Sequence, residues 1–203
     1  MNKITNIAVL FLLATSCYAQ RTITIEQRAV YYENRQDLPE MVEEINDVNN
    51  VLDEFVGSWS TNYDGKTISI QVVKEREVTN FRGVTLSEDL LNFSYEIKDS
   101  NGVILASSTQ AQLGDCKGLT YLSDGTYVFY LYDACEMDKA IYLKPYISFP
   151  DPNIRNEEKR EMQFIVSPPL LGGLDSDPND NSNCVSVANY LPPVNTMIVL
   201  DKQ

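Results

Sequence analysis

Histidine is absent from this chain of 203 residues. Its absence excludes Ser-His-Asp and Cys-His nucleophile systems, the commonest general base, and zinc sites that require an imidazole ligand. The sequence also contains no GxSxG, GxGxxG or GxxxxGK[ST] motif, so it lacks the signatures of the common hydrolases and nucleotide-binding proteins. We therefore expect no cofactor and no metal site.

Basic residues are scarce as well. Sixteen Lys and Arg stand against 29 Asp and Glu, a formal net charge of -13 at pH 7. Such a chain repels phosphate backbones, so we expect no nucleic-acid partner. Carboxylate-only hydrolysis is the enzyme class that survives the loss of histidine, but neither Glu88 with Asp89 nor Asp133 with Glu136 has a spacing that identifies a catalytic pair. We expect a protein that is not an enzyme.

Long hydrophobic runs are missing too. No stretch approaches the roughly 20 apolar residues that span a bilayer, so we expect no transmembrane helix. The chain begins with a short apolar run over residues 7–14 and then Cys17-Tyr18-Ala19-Gln20, which is typical of a bacterial secretory signal. Cleavage after Ala19 would remove residues 1–19 and release a periplasmic or secreted protein. Cleavage before Cys17 would remove residues 1–16 and leave an outer-membrane lipoprotein, held to the membrane only by acylation of Cys17.

Three further cysteines, Cys116, Cys135 and Cys184, allow one disulfide and one remaining cysteine in an oxidising compartment. If residues 123 and 126 face each other across a hairpin, Cys135 is a same-face diagonal neighbour of Cys116. Diagonal neighbours are roughly 7 to 8 Å apart, so a bulge or a strand end must bring them closer. We favour a Cys116–Cys135 disulfide, which would stabilise the fold by about 3 kcal/mol on the chain-entropy model.

Residues 37–55 show the spacing of an amphipathic helix. The apolar residues fall at Met41, Ile45, Val48, Leu52 and Phe55. Asp37 and Glu40 resemble a capping box at the start, and Gly57 lies just past the end. The acidic residues between them are expected to form the solvated face of this helix.

Beyond this predicted helix the apolar period changes to two, which predicts half-buried strands. The predicted strands are 66–72, 91–98, 103–110, 119–123, 126–132, 140–143, 162–167 and 196–200. Asp64-Gly65, Asn101-Gly102 and Asp124-Gly125 readily adopt the positive φ angles of hairpin turns. The expected fold is mainly β, an antiparallel barrel or sandwich of about eight strands with one N-terminal amphipathic helix.

The expected organisation is a signal, a segment over residues 20–36, and a single domain over residues 37–203 with long loops at 145–161 and 168–193. In the second loop Asp175, Asp177, Asn179 and Asn181 have the spacing of a calcium loop. However, Asp180 and Ser186 stand where that loop requires glycine and glutamate. We expect a solvated acidic loop instead.

Phe55-Val56-Gly57-Ser58-Trp59 resembles the GxW start of lipocalins and other calycin barrels, in which the tryptophan closes one end of the barrel. A wider pattern is similar to an uncharacterised family of short exported proteins from Gram-negative bacteria. That pattern comprises 47–59, 64–70, 90–97, 127–132 with Cys135, and 141–144. The resemblance covers roughly residues 40–145. It implies a lipocalin-like barrel and export, with Gly57 and Trp59 as the barrel-start motif, and it supplies no catalytic residues.

Twelve tyrosines are the most distinctive feature of the composition. The predicted strand 126–132 is apolar on both faces, with Tyr127 and Phe129 on one and Tyr130 and Tyr132 on the other, and Tyr142 follows nearby. One face must contact something other than water, and the predicted helix or the long loops would satisfy this as well as a ligand would.

Two functions remain open. The first is non-enzymatic binding of a small apolar ligand inside the barrel. The second is a protein- or glycan-interaction module at the envelope, with a filled barrel and a tyrosine-rich binding face. A large apolar interior would favour the first, and a filled interior with an exposed aromatic patch would favour the second.

Overall fold

The computed structural model describes residues 21–81, 83–108, 116–132, 139–148, 159–168 and 186–203. No helix in these ranges is long and apolar enough to cross a membrane. Several predictions lie outside the described residues: the signal with Cys17, the cysteines Cys135 and Cys184, the acids Asp133 and Glu136, and the calcium-like loop from Asp175 to Asn181.

The described chain is mainly β, as predicted. In chain order its elements are β1 (Thr22–Thr24), α1 (Ile25–Glu33), β2 (Glu44–Asn46), a 3-10 helix (Val51–Glu54), β3 (Gly57–Tyr63), β4 (Lys66–Phe81), β5 (Val84–Lys98), β6 (Ile104–Ser107), β7 (Cys116–Tyr121), β8 (Tyr127–Leu131), β9 (Lys139–Ser148), β10 (Lys159–Ser167), a second 3-10 helix (Val187–Asn189) and β11 (Met197–Lys202). The eight predicted strands correspond to β4 through β11, whereas β1, β2 and β3 are not among the eight.

All described strands belong to one mixed sheet, ordered β1-β2-β5-β4-β3-β11-β10-β9-β8-β7, with β6 also paired to β5. The β1–β2 and β2–β5 pairs are parallel, and the others are antiparallel. The three predicted hairpin turns are confirmed, because Gly65, Gly102 and Gly125 have positive φ angles between β3 and β4, β5 and β6, and β7 and β8.

The predicted antiparallel, lipocalin-like barrel or sandwich of about eight strands is not confirmed. The sheet has eleven strands and curls until β5 and β7 lie against each other, but no ladder joins those two strands in the described residues. The edge of β5 that faces β7 is already paired with β2 at Ser87 and Glu88 and with β6 over 96–98. The ladder of β7 also shifts register between Gly118 and Thr120. A continuous β5–β7 ladder therefore does not form.

Side chains bridge the gap instead, at a place that we call the β5–β7 seam (Leu91, Asn92, Gly118 and Tyr127). The Leu91 amide donates to the hydroxyl of Tyr127 at 3.0 Å, and the Gly118 amide donates to Asn92 Oδ1 at 3.2 Å. A Cβ atom at position 118 would lie 2.0 Å from the Leu91 carbonyl oxygen and 2.7 Å from the Tyr127 hydroxyl. Only glycine lets the two strands approach this closely.

The predicted helix over residues 37–55 is wrong. That segment contains β2 and the first 3-10 helix, and Asn50 between them has a left-handed φ of 57°. Ile45 enters the parallel ladder, while Met41 and Val48 from the expected apolar stripe are 56% and 62% exposed. Because residues three and four apart need not share a face outside a helix, the apolar spacing was misleading here.

The α-helix lies earlier, at α1. Thr24 caps it, since the Gln27 amide donates to the Thr24 hydroxyl at 3.2 Å and the Thr24 amide donates to Gln27 Oε1 at 2.9 Å. This reciprocal pair is a capping box. It was readable in the sequence as Thr24-Ile25-Glu26-Gln27 and was missed because the nine residues of α1 carry no clear apolar stripe.

The core lies on the inner face of the curled sheet. Its largest fully buried side chains include Trp59, Tyr127, Phe55, Phe129 and Phe164. Trp59 donates its indole N–H to the carbonyl of Phe55 at 2.8 Å, and the Lys202 ammonium lies 5.1 Å from the centre of its ring. Trp59 is thus buried with its one polar atom hydrogen-bonded.

An ion-pair network ties the segment after β2 to β4. The Asp47 side chain is fully buried, and its carboxylate accepts from the amides of Val51 and Leu52 at 2.8 and 3.1 Å. Lys74 donates to Asp47 at 2.7 Å and to the exposed Asp53 at 2.8 Å. These acids, expected on the solvated face of a helix, are therefore ion-paired.

Replacing Gly118 with alanine should cost about 3 kcal/mol of unfolding free energy, because the added methyl group must displace the Leu91 carbonyl or the Tyr127 hydroxyl. Urea denaturation monitored by circular dichroism measures the loss. The Lys117→Ala variant, changed at an exposed position of the same strand, should stay within about 0.5 kcal/mol of the wild type. Equal midpoints for the two variants would contradict the close approach at the seam.

Asp47→Asn should cost about 2 kcal/mol, since it leaves the partly buried Lys74 without its buried counter-charge and weakens the bonds to two amides. Asp53→Asn removes the other carboxylate paired with Lys74, but Asp53 is 59% exposed, so its effect should stay below about 0.5 kcal/mol. The comparison of the two denaturation midpoints tests whether Asp47 anchors the segment. Equal losses of unfolding free energy in the two variants would show that Asp47 does not anchor the segment.

Candidate functional site

The interior of the curled sheet is filled by side chains in its described part. An apolar cavity of about 10 Å³ lies there, lined by Ile68, Ile70, Phe93, Tyr95, Leu131, Ile141, Phe164 and Leu191. This is about the smallest volume that admits one water molecule. Pockets for small organic ligands are of the order of 300 Å³ or more, so this cavity does not accommodate one.

The predicted aromatic candidates divide between the two faces of the sheet. Tyr127 and Phe129 point into the core and are 2% and 0% exposed. Phe129 packs against Phe93 with ring centres 4.8 Å apart, and Tyr127 against Phe55 at 5.9 Å. Burial raises the pKa of Tyr127 well above its usual value. These two side chains are structural, and no partner molecule reaches them in this arrangement.

Tyr130 and Tyr132 alternate with these core residues and lie on the outer face. Their rings are 4.8 Å apart with an interplanar angle of 64°, and Tyr132 is 47% exposed. Cross-strand pairing places further apolar residues on the same face, because Tyr142 lies opposite Ile165 on β10 and Ile165 lies opposite Met197 on β11. We call Tyr130, Tyr132, Tyr142, Ile165 and Met197 the tyrosine face.

The tyrosine face ends beside a buried pair. Val128, which lies opposite Tyr142, and its partner Thr120 on β7 are each 1% exposed although they point away from the core. The helix α1 packs against β7. Burial raises the pKa of Tyr142, and at the other end of the row Met197 is 53% exposed. Along this row the outer face thus changes from buried at Thr120 to exposed at Met197.

A second outer surface is polar. A groove of about 410 Å³ runs across β3, β4, β5 and β6, and we call it the serine groove. Its polar lining consists of Ser58, Ser60, Ser69, Gln71, Ser94, Glu96, Ser107, Ser108 and Gln203. Only strand pairing brings these polar residues together on one surface.

A third concave surface lies between α1 and the β4–β5 hairpin. This cleft has a volume of about 330 Å³ and is lined by Arg28, Tyr31, Tyr32, Gln36, Asp37, Leu38, Thr79, Leu86 and Glu88. Arg28 forms an ion pair with Glu88. Burial raises the pKa of Glu88, and the nearby charges of Glu77 and Asp89 raise it further, whereas Arg28 opposes them.

The acids Glu88 and Asp89 do not form a catalytic pair. As consecutive residues of β5 they point to opposite faces. Glu88 pairs with Arg28 in the cleft, while Asp89 accepts from Arg76 at 2.8 Å on the other side. Within the described ranges, no three Cys, Asp or Glu side chains are grouped so as to hold a metal ion.

The predicted Cys116–Cys135 disulfide remains a prediction. Cys116 is buried at the start of β7 and lies opposite Leu131. The predicted register, in which residues 123 and 126 face each other, is wrong, because Tyr121 lies opposite Tyr127 and the ladder shifts between Gly118 and Thr120. The diagonal-neighbour argument for this disulfide therefore does not hold. The chain shows no disulfide between residues that the structure describes, and Cys135 is not among them. Gly57, from the predicted barrel-start motif, has a φ of 132° and lies opposite Val72 at the start of β3, two residues before Trp59.

Comparisons with known proteins give one match. The model of a family of unknown function (DUF6705) matches residues 1–175. No curated protein and no solved structure matches the chain. The comparisons therefore supply neither a substrate nor a partner.

Proposed function

Because the chain belongs to this family of unknown function (DUF6705), whose description names no activity, we propose from the geometry that it is a non-enzymatic protein-interaction module that binds through its tyrosine face. The observation that carries the proposal is the outward row formed by Tyr142, Ile165 and Met197 beside the Tyr130–Tyr132 pair, of which Tyr132 is 47% exposed. Exposing an apolar row of this kind to water is unfavourable in free energy, and such rows are typical of the centres of protein interfaces.

The filled interior favours this proposal over carriage of a small apolar ligand. A cavity of about 10 Å³ offers such a ligand no room. The aromatic side chains that would line a ligand site, Tyr127 and Phe129, are packed against each other with ring centres 4.8 Å apart. Opening a cavity there would cost the packing energy of several buried rings.

The chemistry of the tyrosine face favours a protein over a glycan as the partner. The Tyr130 and Tyr132 rings meet at 64°, so together they present no flat platform on which a sugar ring could stack. Ile165 and Met197 have no group that can hydrogen-bond a hydroxyl, except the weakly accepting sulfur of methionine. Tyrosine and methionine are enriched at protein interfaces, where methionine adapts to the shape of its partner.

We also propose that the protein is exported and acts at the cell envelope, on the evidence of residues 1–20 described above. The calycin resemblance is part of the same proposal. A curled sheet with Trp59 buried near the start of β3 is compatible with an opened relative of such barrels. The lipid anchor on Cys17 and the free periplasmic form remain alternatives.

Site-specific photo-crosslinking tests the interaction. A benzophenone amino acid placed at Tyr132 or Met197, in cells that produce the protein, should yield a covalent adduct with one polypeptide of the same mass from both positions. The same amino acid at Val103 should yield none. Val103 is 58% exposed, like Met197 at 53%, but lies outside the tyrosine face.

In the same cells Met197→Asp should reduce the adduct at Tyr132 about tenfold, since it places a charge within an apolar contact. Its denaturation midpoint should match that of the wild type, because Met197 is exposed. An adduct of twice the protein's own mass would identify a second copy as the partner. Equal adducts at Val103, or adducts with polysaccharide alone, would overturn the proposal.

Intact-mass spectrometry of membrane and soluble fractions tests export. A chain that starts at Gln20, or one that starts at Cys17 with added acyl groups, is the expected result, and the mass distinguishes the two. Spectra under native conditions should show no bound small apolar molecule, since the interior is filled. A full-length chain that retains Met1 would contradict export. A stoichiometric apolar ligand would instead support binding of a small apolar molecule inside the sheet.

A further inference from the structure

We propose that the outer edge of β4 is a second docking site, independent of the tyrosine face, and that it takes an antiparallel strand with basic side chains from a partner protein. The strand β4 is longer than β3, and their ladder ends where Gly57 lies opposite Val72. Beyond that point residues 73–81 are paired with β5 on one edge. No strand in the described residues pairs with their other edge. We call residues 74–80 the β4 edge.

Every second residue of the β4 edge points its backbone groups outward. The amides of Leu91 and Ser87 on β5 donate to groups that lie away from β4. Leu91 lies opposite Lys74, and Ser87 lies opposite Val78. In an antiparallel pair, two opposite residues direct their backbone groups either toward each other or both apart. Lys74 and Val78 therefore point their amides and carbonyls outward, as do the residues that alternate with them.

Four residues thus present outward backbone groups: Lys74, Arg76, Val78 and Asn80. Their amides and carbonyls make no hydrogen bond to the described part of the chain. The ladder with β5 holds the edge extended, and every residue from 75 to 80 is exposed. An incoming strand therefore meets a fixed row of alternating donors and acceptors, the arrangement by which a peptide adds a strand to a sheet.

The two sides of the β4 edge differ in charge. On the inner side Lys74 and Arg76 are each ion-paired within the protein, so their charges are already neutralised. On the side that faces α1, Glu75 and Glu77 are exposed and form no ion pair with the described residues. Glu77 also lies opposite a third acid, Glu88. Because opposite charges on facing residues of two strands attract, this side selects a strand with basic side chains at alternate positions.

The same glutamates disfavour pairing of the β4 edge with a second copy of the chain. An antiparallel pair that uses all four outward residues places Arg76 opposite Val78, and Glu77 opposite the same residue of the second copy. The two Glu75 side chains then lie beside them on the same side of the sheet. Like charges that face each other destabilise a strand pair. The edge is thus protected against self-association but open to a strand of opposite charge.

Antiparallel pairing also fixes which groups of the partner strand face the edge. It is the more stable arrangement, and β3 pairs with the same edge of β4 in this sense. A partner residue opposite Glu75 or Glu77 points its own amide away from β4, whereas the residues between such positions point theirs toward it. Basic residues of the partner therefore supply the charge, and the intervening residues supply the hydrogen bonds.

Hydrogen exchange followed by amide NMR tests the proposal on the full chain. In the free protein the amides of Arg76 and Val78 should exchange quickly and those of Glu75 and Glu77 slowly, since only the latter bond to β5. The probe is an end-blocked peptide of alternating threonine and lysine that matches the edge in length. At saturation it should slow exchange at Arg76 and Val78 about tenfold or more. Exchange at Tyr132 should not change.

Two matched peptides separate strand pairing from charge attraction alone. A peptide of alternating proline and lysine has the same charge but lacks the amides that would face the edge. A peptide of alternating threonine and glutamate can form the same hydrogen bonds but has the opposite charge. Neither peptide should slow exchange at Arg76 and Val78.

The Glu75→Gln, Glu77→Gln double variant should bind the lysine peptide about tenfold more weakly, because it loses the charge pairs across the two strands. Asp64→Asn with Glu96→Gln removes the same charge at the other end of the β4–β5 hairpin. These positions lie roughly 20 Å or more from the two glutamates along the strands, well beyond the screening length of about 8 Å. This control variant should bind as the wild type does.

Three results with the peptides would overturn the proposal: no saturable protection by the lysine peptide, equal protection by either matched peptide, or equal affinity of the double variant and the wild type. Protection that appears without peptide and rises with protein concentration would place a second copy at the edge, and would overturn it too. None of these results bears on the cross-links at Tyr132 and Met197. Loss of those cross-links would leave the β4 edge untouched, so the two proposals fail separately.

Discussion

The contact between Gly118 and the backbone of Leu91 is the constraint on which the rest of the structure depends. At this point the two sides of the sheet come together without a ladder, and the Leu91 amide must find an acceptor inside the protein, since a buried and unpaired amide is costly. The hydroxyl of Tyr127 supplies it at 3.0 Å. The side chain of a core tyrosine thus replaces a missing strand–strand hydrogen bond, and only glycine at position 118 leaves room for it.

The β5–β7 seam determines which side chains are enclosed in the interior and which point outward. By holding β5 against β7 it encloses the inner faces of the strands, whose aromatic and aliphatic side chains fill the space. The outer faces then point away from one another, so the sheet presents two surfaces of opposite character. The tyrosine face on β8 to β11 is apolar, while the serine groove on β3 to β6 is polar and locally neutral.

Much of the local structure was readable from the sequence. Alternating residues and the Asp64-Gly65, Asn101-Gly102 and Asp124-Gly125 pairs identified β4 to β11 and three of their turns, because a period of two and a positive φ are properties of neighbouring residues. The helix was misplaced for the opposite reason. Ile45 is buried by a parallel ladder with β1 and β5, and Asp47 is buried by Lys74. All three partners are distant in sequence from this segment, so they produce no periodic pattern in it.

At the candidate site, too, local features could be predicted from the sequence and long-range contacts could not. Alternation in β8 separated Tyr127 and Phe129 from Tyr130 and Tyr132, but it could not say which pair faces the core. Met197 and Ile165 were not predicted as site residues, because only the register of β9, β10 and β11 places them beside Tyr142. The sequence by itself determined strands, turns, an acidic and histidine-free chemistry, and an alternation of faces, all of which depend on nearby residues. Tertiary structure alone decided which side chains share a surface and, in the part of the chain that the structure describes, that the sheet stays open and its interior is filled. Those features depend on pairing between strands far apart in the chain.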